Sequence, residues 1–342
     1  MIGRGTDGLP RALSRPSIIK ERQRDMPQIP TTAGLVEASE LGRTMVHEHT
    51  RGGSEGVRVQ WPHLFDEDRD LELVIPQVLA MKEHGVQTVC DPACMDLNRD
   101  VRFNTRVTEA TGVRFVMATG VYTVGYTFIP IIPVPGADYV KLMADCFVHD
   151  LTVGIQGTDV RAGFLKCAAD APGITEQVEM VHRAVARASL ETGAPIMAHS
   201  NPNTPTGLDQ MAIFTDEGVD PAKVQIAHTG DTDDLDYIER LLATGCTIGL
   251  DRYGMDFILE AGPRNATLAA LVQRGYKDRL MIGHDVVMEF DWWPREEVLD
   301  LAPNWHTTFL FDTVLPQLRE LGVAEDDLEA MMGKNVHTWL AA

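Results

Sequence analysis

The stretch "LGRTMVHEHTRGG", residues 41–53, sets His47 and His49 on either side of one glutamate, directly after an apolar run. On a β-strand alternate side chains face the same side, so the two rings would converge on one point. A shared metal ion is one reading, because imidazole is a common ligand. Two histidines that alternate by chance on an exposed strand are the other. The stretch alone does not choose between them.

The rest of the chain repeats the pattern. Apolar, β-branched runs recur as "RTMVHEH", "VQTVCDP", "RFVMATG", "GFLKCAA", "PIMAHS", "VQIAHTG", "CTIGLDR" and "RLMIGHD". Segments of helical period separate them: 71–84, 101–111, 138–153, 175–192, 207–218, 232–244 and 264–275. Two more, 305–321 and 325–340, follow the last run. Strands alternating with helices require parallel pairing and right-handed crossovers, and these repeats span the length of an α/β (β/α)₈ TIM barrel. An open doubly wound sheet is the alternative. No GxGxxG or Walker A turn follows any strand, which counts against it.

The polar residues in these apolar runs fall late in each run. His47 and His49 end the first, Lys166 lies in the fourth, His199 ends the fifth, His228 the sixth and Asp285 the eighth. That end of a barrel is where active sites are built from residues of different strands. Each residue has an ordinary reading by itself: a snorkelling lysine, a hydrogen-bonded core histidine, a capping aspartate. Gathered at one barrel face, they would be a costly buried polar cluster without a cation to satisfy them.

Composition limits the function classes. The 342 residues are 44% hydrophobic and 23% charged, which describes a soluble globular chain. A formal charge of −20 repels phosphate backbones and anionic lipid, so neither nucleic acid nor membrane is an expected partner. Five cysteines without zinc-finger spacing read as free thiols in a reducing, cytoplasmic compartment. Residues 1–28 read as a disordered extension without a secretory core, and 29–342 as one domain. His63, His84, His149, His182, His306 and His337 read as structural or exposed, and His284 should point away from Asp285 by strand alternation.

"GRTMVHEH", "ATGVY", "GFLKCAAD", "APIMAHSN", "AHTGDTDDLDYI", "IGLDRYGMD" and "GHDVV" occur together over the chain from about residue 29 onward. With them the sequence resembles the phosphotriesterase family of the amidohydrolase superfamily, and most closely its phosphotriesterase-like lactonases. The resemblance implies two divalent metals, zinc or else cobalt, manganese or iron. His47, His49 and Asp285 would hold one and His199 and His228 the other. Lys166 would bridge them as N6-carboxylysine. The implied reaction is opening of γ- or δ-lactones, acyl-homoserine lactones among them, by a metal-bridging hydroxide, with promiscuous hydrolysis of organophosphate triesters. Asp285 would handle the proton. A dedicated phosphotriesterase or a carboxylesterase on the same scaffold is the alternative, and a non-catalytic metal-binding scaffold a more distant one. Tyr122 and Arg252 stand where the resemblance separates lactonases from phosphotriesterases. Met288, Phe290, Trp292 and Trp293, in the segment after Asp285, would line the pocket for the substrate's apolar arm or meet a second subunit, since the family is commonly dimeric. Thr50 and Gly283 depart from the usual pattern without removing a ligand.

Overall fold

The structure is a computed structural model that describes residues 27–122 and 134–342. Residues 1–26 of the expected extension lie outside the described residues. The described chain opens with an antiparallel hairpin, β1 (Gln28–Thr31) and β2 (Gly34–Glu37). The first barrel strand comes in two pieces, β3 (Arg43–Met45) and β4 (Glu48–His49), with a bend between them. The others are β5 (Val86–Asp91), β6 (Arg114–Gly120), β7 (Ala162–Ala168), β8 (Ile196–His199), β9 (Val224–Ala227), β10 (Thr247–Leu250) and β11 (Leu280–Ile282). They pair in parallel in sequence order, and β12 (Val286–Val287) continues β11 and pairs in parallel with β4. The eight expected strands are therefore present, and the fold is a (β/α)₈ barrel.

The seam between the last strand and the first forms only at the top. There the Asp285 N–H donates to the His47 carbonyl at 3.0 Å and the Met288 N–H to the His49 carbonyl at 3.0 Å. The buried Glu48 carboxylate reinforces it. One oxygen accepts the His284 N–H at 2.9 Å and His284 Nδ1 at 2.8 Å, and the other accepts the Val286 N–H at 2.9 Å. His284 points away from Asp285, as strand alternation requires.

The helices in chain order are α1 (Glu55–Gln60), α2 (Glu67–Glu83), α3 (Val101–Thr111), α4 (Tyr139–Thr152), α5 (Glu176–Thr192), α6 (Thr206–Glu217), α7 (Leu235–Ala243), α8 (Ala261–Gln273) and α9 (Arg295–Leu301); α2 to α8 answer to the expected segments, whereas the short α1 and α9 were not expected. The C-terminal pair differs from expectation. Instead of one helix over 305–321, a π-helical turn at Leu310–Val314 leads into α10 (Leu315–Glu320). The Leu310 N–H donates out of the helix to His284 Nε2 at 3.0 Å, and Pro316 has no N–H for the ladder. The segment 325–340 splits at Gly333 into α11 (Glu325–Met331) and α12 (Lys334–Leu340). This turn lets α12 plug the barrel: Trp339 and Leu340 pack against Val116, Phe164, Met197 and Met281. With the N-terminal mouth filled by apolar side chains, only the opposite mouth can present polar groups.

No helix of the described residues is long and apolar enough to cross a membrane. The five cysteines are free; four are buried, and Cys146 is exposed, which the apolar setting of the others did not suggest.

Candidate metal centre

The strand ends deliver their polar residues to one place. Strand register sets Lys166 beside Met197 and Gly120, and His199 beside Ala168 and Ala227. Gly120 is required here, because a Cβ would fall 1.8 Å from the Lys166 carbonyl oxygen and its φ is +145°. His228 and Asp285 both have left-handed backbone, φ 63° and 53°. Such strain in non-glycine residues is sustained where the surroundings dictate the conformation, often at functional sites.

His47, His49, Lys166, His199, His228 and Asp285 are all buried. Asp285 Oδ1 lies 3.1 Å from His47 Nε2 and 3.2 Å from His49 Nε2, and Oδ2 lies 3.8 Å from His228 Nε2. Lys166 Nζ is 3.4 Å from His47 Nε2. The His199 and His228 rings meet edge to face with centroids 4.4 Å apart. Ligand atoms of His47, His228 and Asp285 fall within 4.8 Å of one another, the spacing of a metal site.

The nitrogens facing away from this point are held by carboxylates. Asp251 contacts Nδ1 of both His47 and His228, at 2.9 and 3.1 Å. Asp91 lies 3.4 Å from His49 Nδ1, and Asp170 lies 3.4 Å from His199 Nε2. Thr50 donates its hydroxyl and its N–H to Asp91, at 3.1 and 3.2 Å, so the departure at this position supports a ligand's neighbour. A carboxylate on the outer nitrogen leaves the inner one unprotonated and free to ligate. Two inner atoms, Nδ1 of His199 and Nε2 of His228, are buried without a hydrogen-bond partner. Unpaired nitrogens of this kind are what a cation would satisfy.

Protonation tendencies agree with this donor set. Burial pushes His199 down to about 4 and holds His228 well below the usual histidine range, so both are neutral donors. Burial also holds the Lys166 amine below its usual range, toward the neutral form. For His49 burial disfavours the cation, but Asp285 and Asp91 outweigh it and push the ring up to about 9; a metal would replace that proton. Burial opposes ionisation of Asp285, and the surrounding imidazoles, His47 first, prevail to keep the carboxylate charged.

Arg252 flanks the cluster, its Nε donating to Asp285 Oδ2 at 2.8 Å and its other arm to Asp231 at 3.0 Å. The Tyr122 ring stands edge-on to His199 at 5.0 Å, and burial pushes its phenol up to about 12, so the hydroxyl is a neutral donor. Among the described residues the cluster opens into a cavity of about 200 Å³, walled on its apolar side by Leu97, Met255, Val287, Phe290 and Trp305. Of the four residues expected from the segment after Asp285, Phe290 lines it and Met288, Trp292 and Trp293 do not. Met288 is fully buried beneath the seam, and Trp292 is 61% exposed with its ring against Phe65.

Comparison with known proteins decides the family. The model of the phosphotriesterase family matches residues 27–340. The chain belongs to the phosphotriesterase family. Among its relatives in that family, "Aryldialkylphosphatase" of Saccharolobus solfataricus is 44% identical over 88% of this chain and 95% of its own length. "Phosphotriesterase homology protein" of Mycobacterium tuberculosis is 38% identical over 91% and 96%. The solved phosphotriesterase structure from M. tuberculosis superposes with a TM-score of 0.85 at 36% identity, covering 92% of this chain and 98% of that one. This phosphotriesterase-family protein is accordingly a metal-dependent hydrolase. Asp91, Asp170 and Asp251 had no assigned role in the sequence reading. Two of them close the runs "VQTVCDP" and "CTIGLDR", the strand-end position that marked the other site residues.

Proposed function

We propose that this hydrolase opens lactones at a binuclear centre and turns over phosphotriesters as a side reaction. His47, His49 and Asp285 would hold one divalent metal, zinc or a similar ion, and His199 and His228 the other. Lys166 would serve both as a carbamate, formed when its neutral amine adds to carbon dioxide and releases one proton. When bound, such cations would lower the pKa of a water and polarise the substrate's carbonyl or phosphoryl oxygen. The residues of the chain do the rest. Tyr122 offers a hydroxyl toward the substrate oxygen, Arg252 orients Asp285, and Asp285 passes the proton that the departing alkoxide needs.

The observation that carries the lactone reading is the pairing of a neutral Tyr122 hydroxyl with an Arg252–Asp285 contact at the rim of a small cavity. At about 200 Å³ the cavity has room for a five- or six-membered lactone ring beside that pair. The triester reading draws support from the name of the S. solfataricus relative. A homodimer is proposed as well, because Val59, Trp61, Leu64 and Trp292 are more than half exposed; a monomeric mass in sedimentation would remove it.

The test is a panel of γ-, δ- and homoserine lactones beside diethyl aryl phosphates, run on enzyme of measured metal content. Lactone kcat/KM should exceed the triester value by about 100-fold or more, a difference of ~3 kcal/mol in transition-state binding. Tyr122→Phe should lower lactone kcat/KM by about tenfold at unchanged metal content, and Arg252→His should raise the triester-to-lactone ratio. Equal or greater triester efficiency in the parent, with no movement in either variant, would reverse the assignment to a phosphotriesterase.

A further inference from the structure

We propose that Asp251 is a positioning residue that couples the two halves of the metal centre, by fixing the tautomer of one imidazole in each. The proposal rests on the two-metal reading. Asp251 is fully buried at the end of β10. Its Oδ2 accepts from His47 Nδ1 at 2.9 Å; its Oδ1 accepts from the His228 N–H at 2.7 Å and from His228 Nδ1 at 3.1 Å. His47 belongs to one ligand set and His228 to the other, whereas Asp91 and Asp170 each serve a single ring. Gly249 leaves room for this carboxylate and for Gln225: a Cβ there would fall 2.4 Å from Gln225 Nε2 and 2.5 Å from Asp251 Oδ2.

A carboxylate only accepts, so both rings must carry their proton on Nδ1 and present a bare Nε2 to metal. A carboxamide at the same place cannot treat the rings alike. Its oxygen must stay on the His228 side, because the His228 backbone N–H is always a donor. Its NH₂ then faces His47 Nδ1, which must accept, so the proton moves to His47 Nε2. That is the atom needed by the metal of His47, His49 and Asp285. Asp251→Asn therefore weakens one metal selectively, and Asp251→Ala, which frees both rings, weakens both.

The experiment measures metal per chain after dialysis, and release to a chelator, for the parent, Asp251→Asn and Asp251→Ala. The parent should retain two metals. Asp251→Asn should retain about one, with the other released at least tenfold faster, the usual scale for loss of such a partner. In ¹¹³Cd-loaded protein with ¹⁵N-labelled histidine, the remaining cadmium should couple to His199 and His228. Two metals held as tightly in Asp251→Asn as in the parent, or selective loss of the His199/His228 metal, would overturn the proposal. If the variants do not fold, the parent spectrum still decides, since coupling through Nδ1 of His47 or His228 would contradict the assigned tautomers. A parent that binds fewer than two metals would defeat the two-metal reading itself, which is a separate outcome.

Discussion

At Lys166 a primary amine is buried in the barrel mouth, 3.4 Å from His47 Nε2 and 3.4 Å from the Met197 sulfur. Burying an ammonium beside an imidazole and a thioether is unfavourable, and carboxylation turns the group into an anion that cations can pair. Lys166→Ala should lower turnover by about 10³-fold or more, the scale of losing a preorganised charge, with partial recovery on adding a small carboxylate. Full activity with two metals bound would remove Lys166 from the chemistry. This residue was legible only jointly: alone, a lysine in an apolar strand reads as a snorkelling side chain, but His47, His49, His199, His228 and Asp285 fall at the same end of their strands. Asp251 was not, since its role depends on His47 and His228 approaching from distant strands. Met288 and Trp292 lie outside the described cavity for a related reason. The direction of their loop is set by Asp291, which accepts from Ser54 N–H at 3.1 Å and Arg58 Nε at 2.7 Å, partners more than 230 positions away. That clasp turns Phe290 inward and Trp292 outward.

Among the elements, the seam between β4 and β12 is short and has few backbone hydrogen bonds, so Glu48 supplies much of what closes the barrel. Its carboxylate accepts three donors within 2.9 Å, two of them from His284. Glu48→Gln keeps the shape but turns one acceptor into a donor facing an N–H. It should cost about 2–3 kcal/mol, read as a lower denaturation midpoint, and loosen metal binding through the adjoining His47, His49 and Asp285. An unchanged midpoint would mean that the backbone pairs close the seam alone. Strand and helix order was readable from hydrophobic period, and helix limits followed caps such as Asp100 before α3 and Thr175 before α5. The π-turn was hidden, because its first N–H, that of Leu310, is held by His284, which reaches it from another element of the barrel.

For the whole molecule, the barrel places an apolar plug at one mouth and a cluster of imidazoles, carboxylates and one lysine at the other. Packing of the plug accounts for which end is open, and the carboxylates behind the imidazoles account for which nitrogens are free. Two unpaired inner nitrogens and a carboxylate at 3.1–3.8 Å from three rings are the features on which the functional account depends. The most direct test is a crystal structure of the protein grown with zinc or cobalt, with data collected at the metal's absorption edge. The account predicts two anomalous peaks, one among His47, His49 and Asp285 and one beside His199 and His228, with extra density for a carboxylate on Lys166 between them. A single peak, or two peaks with an unmodified lysine, would contradict it.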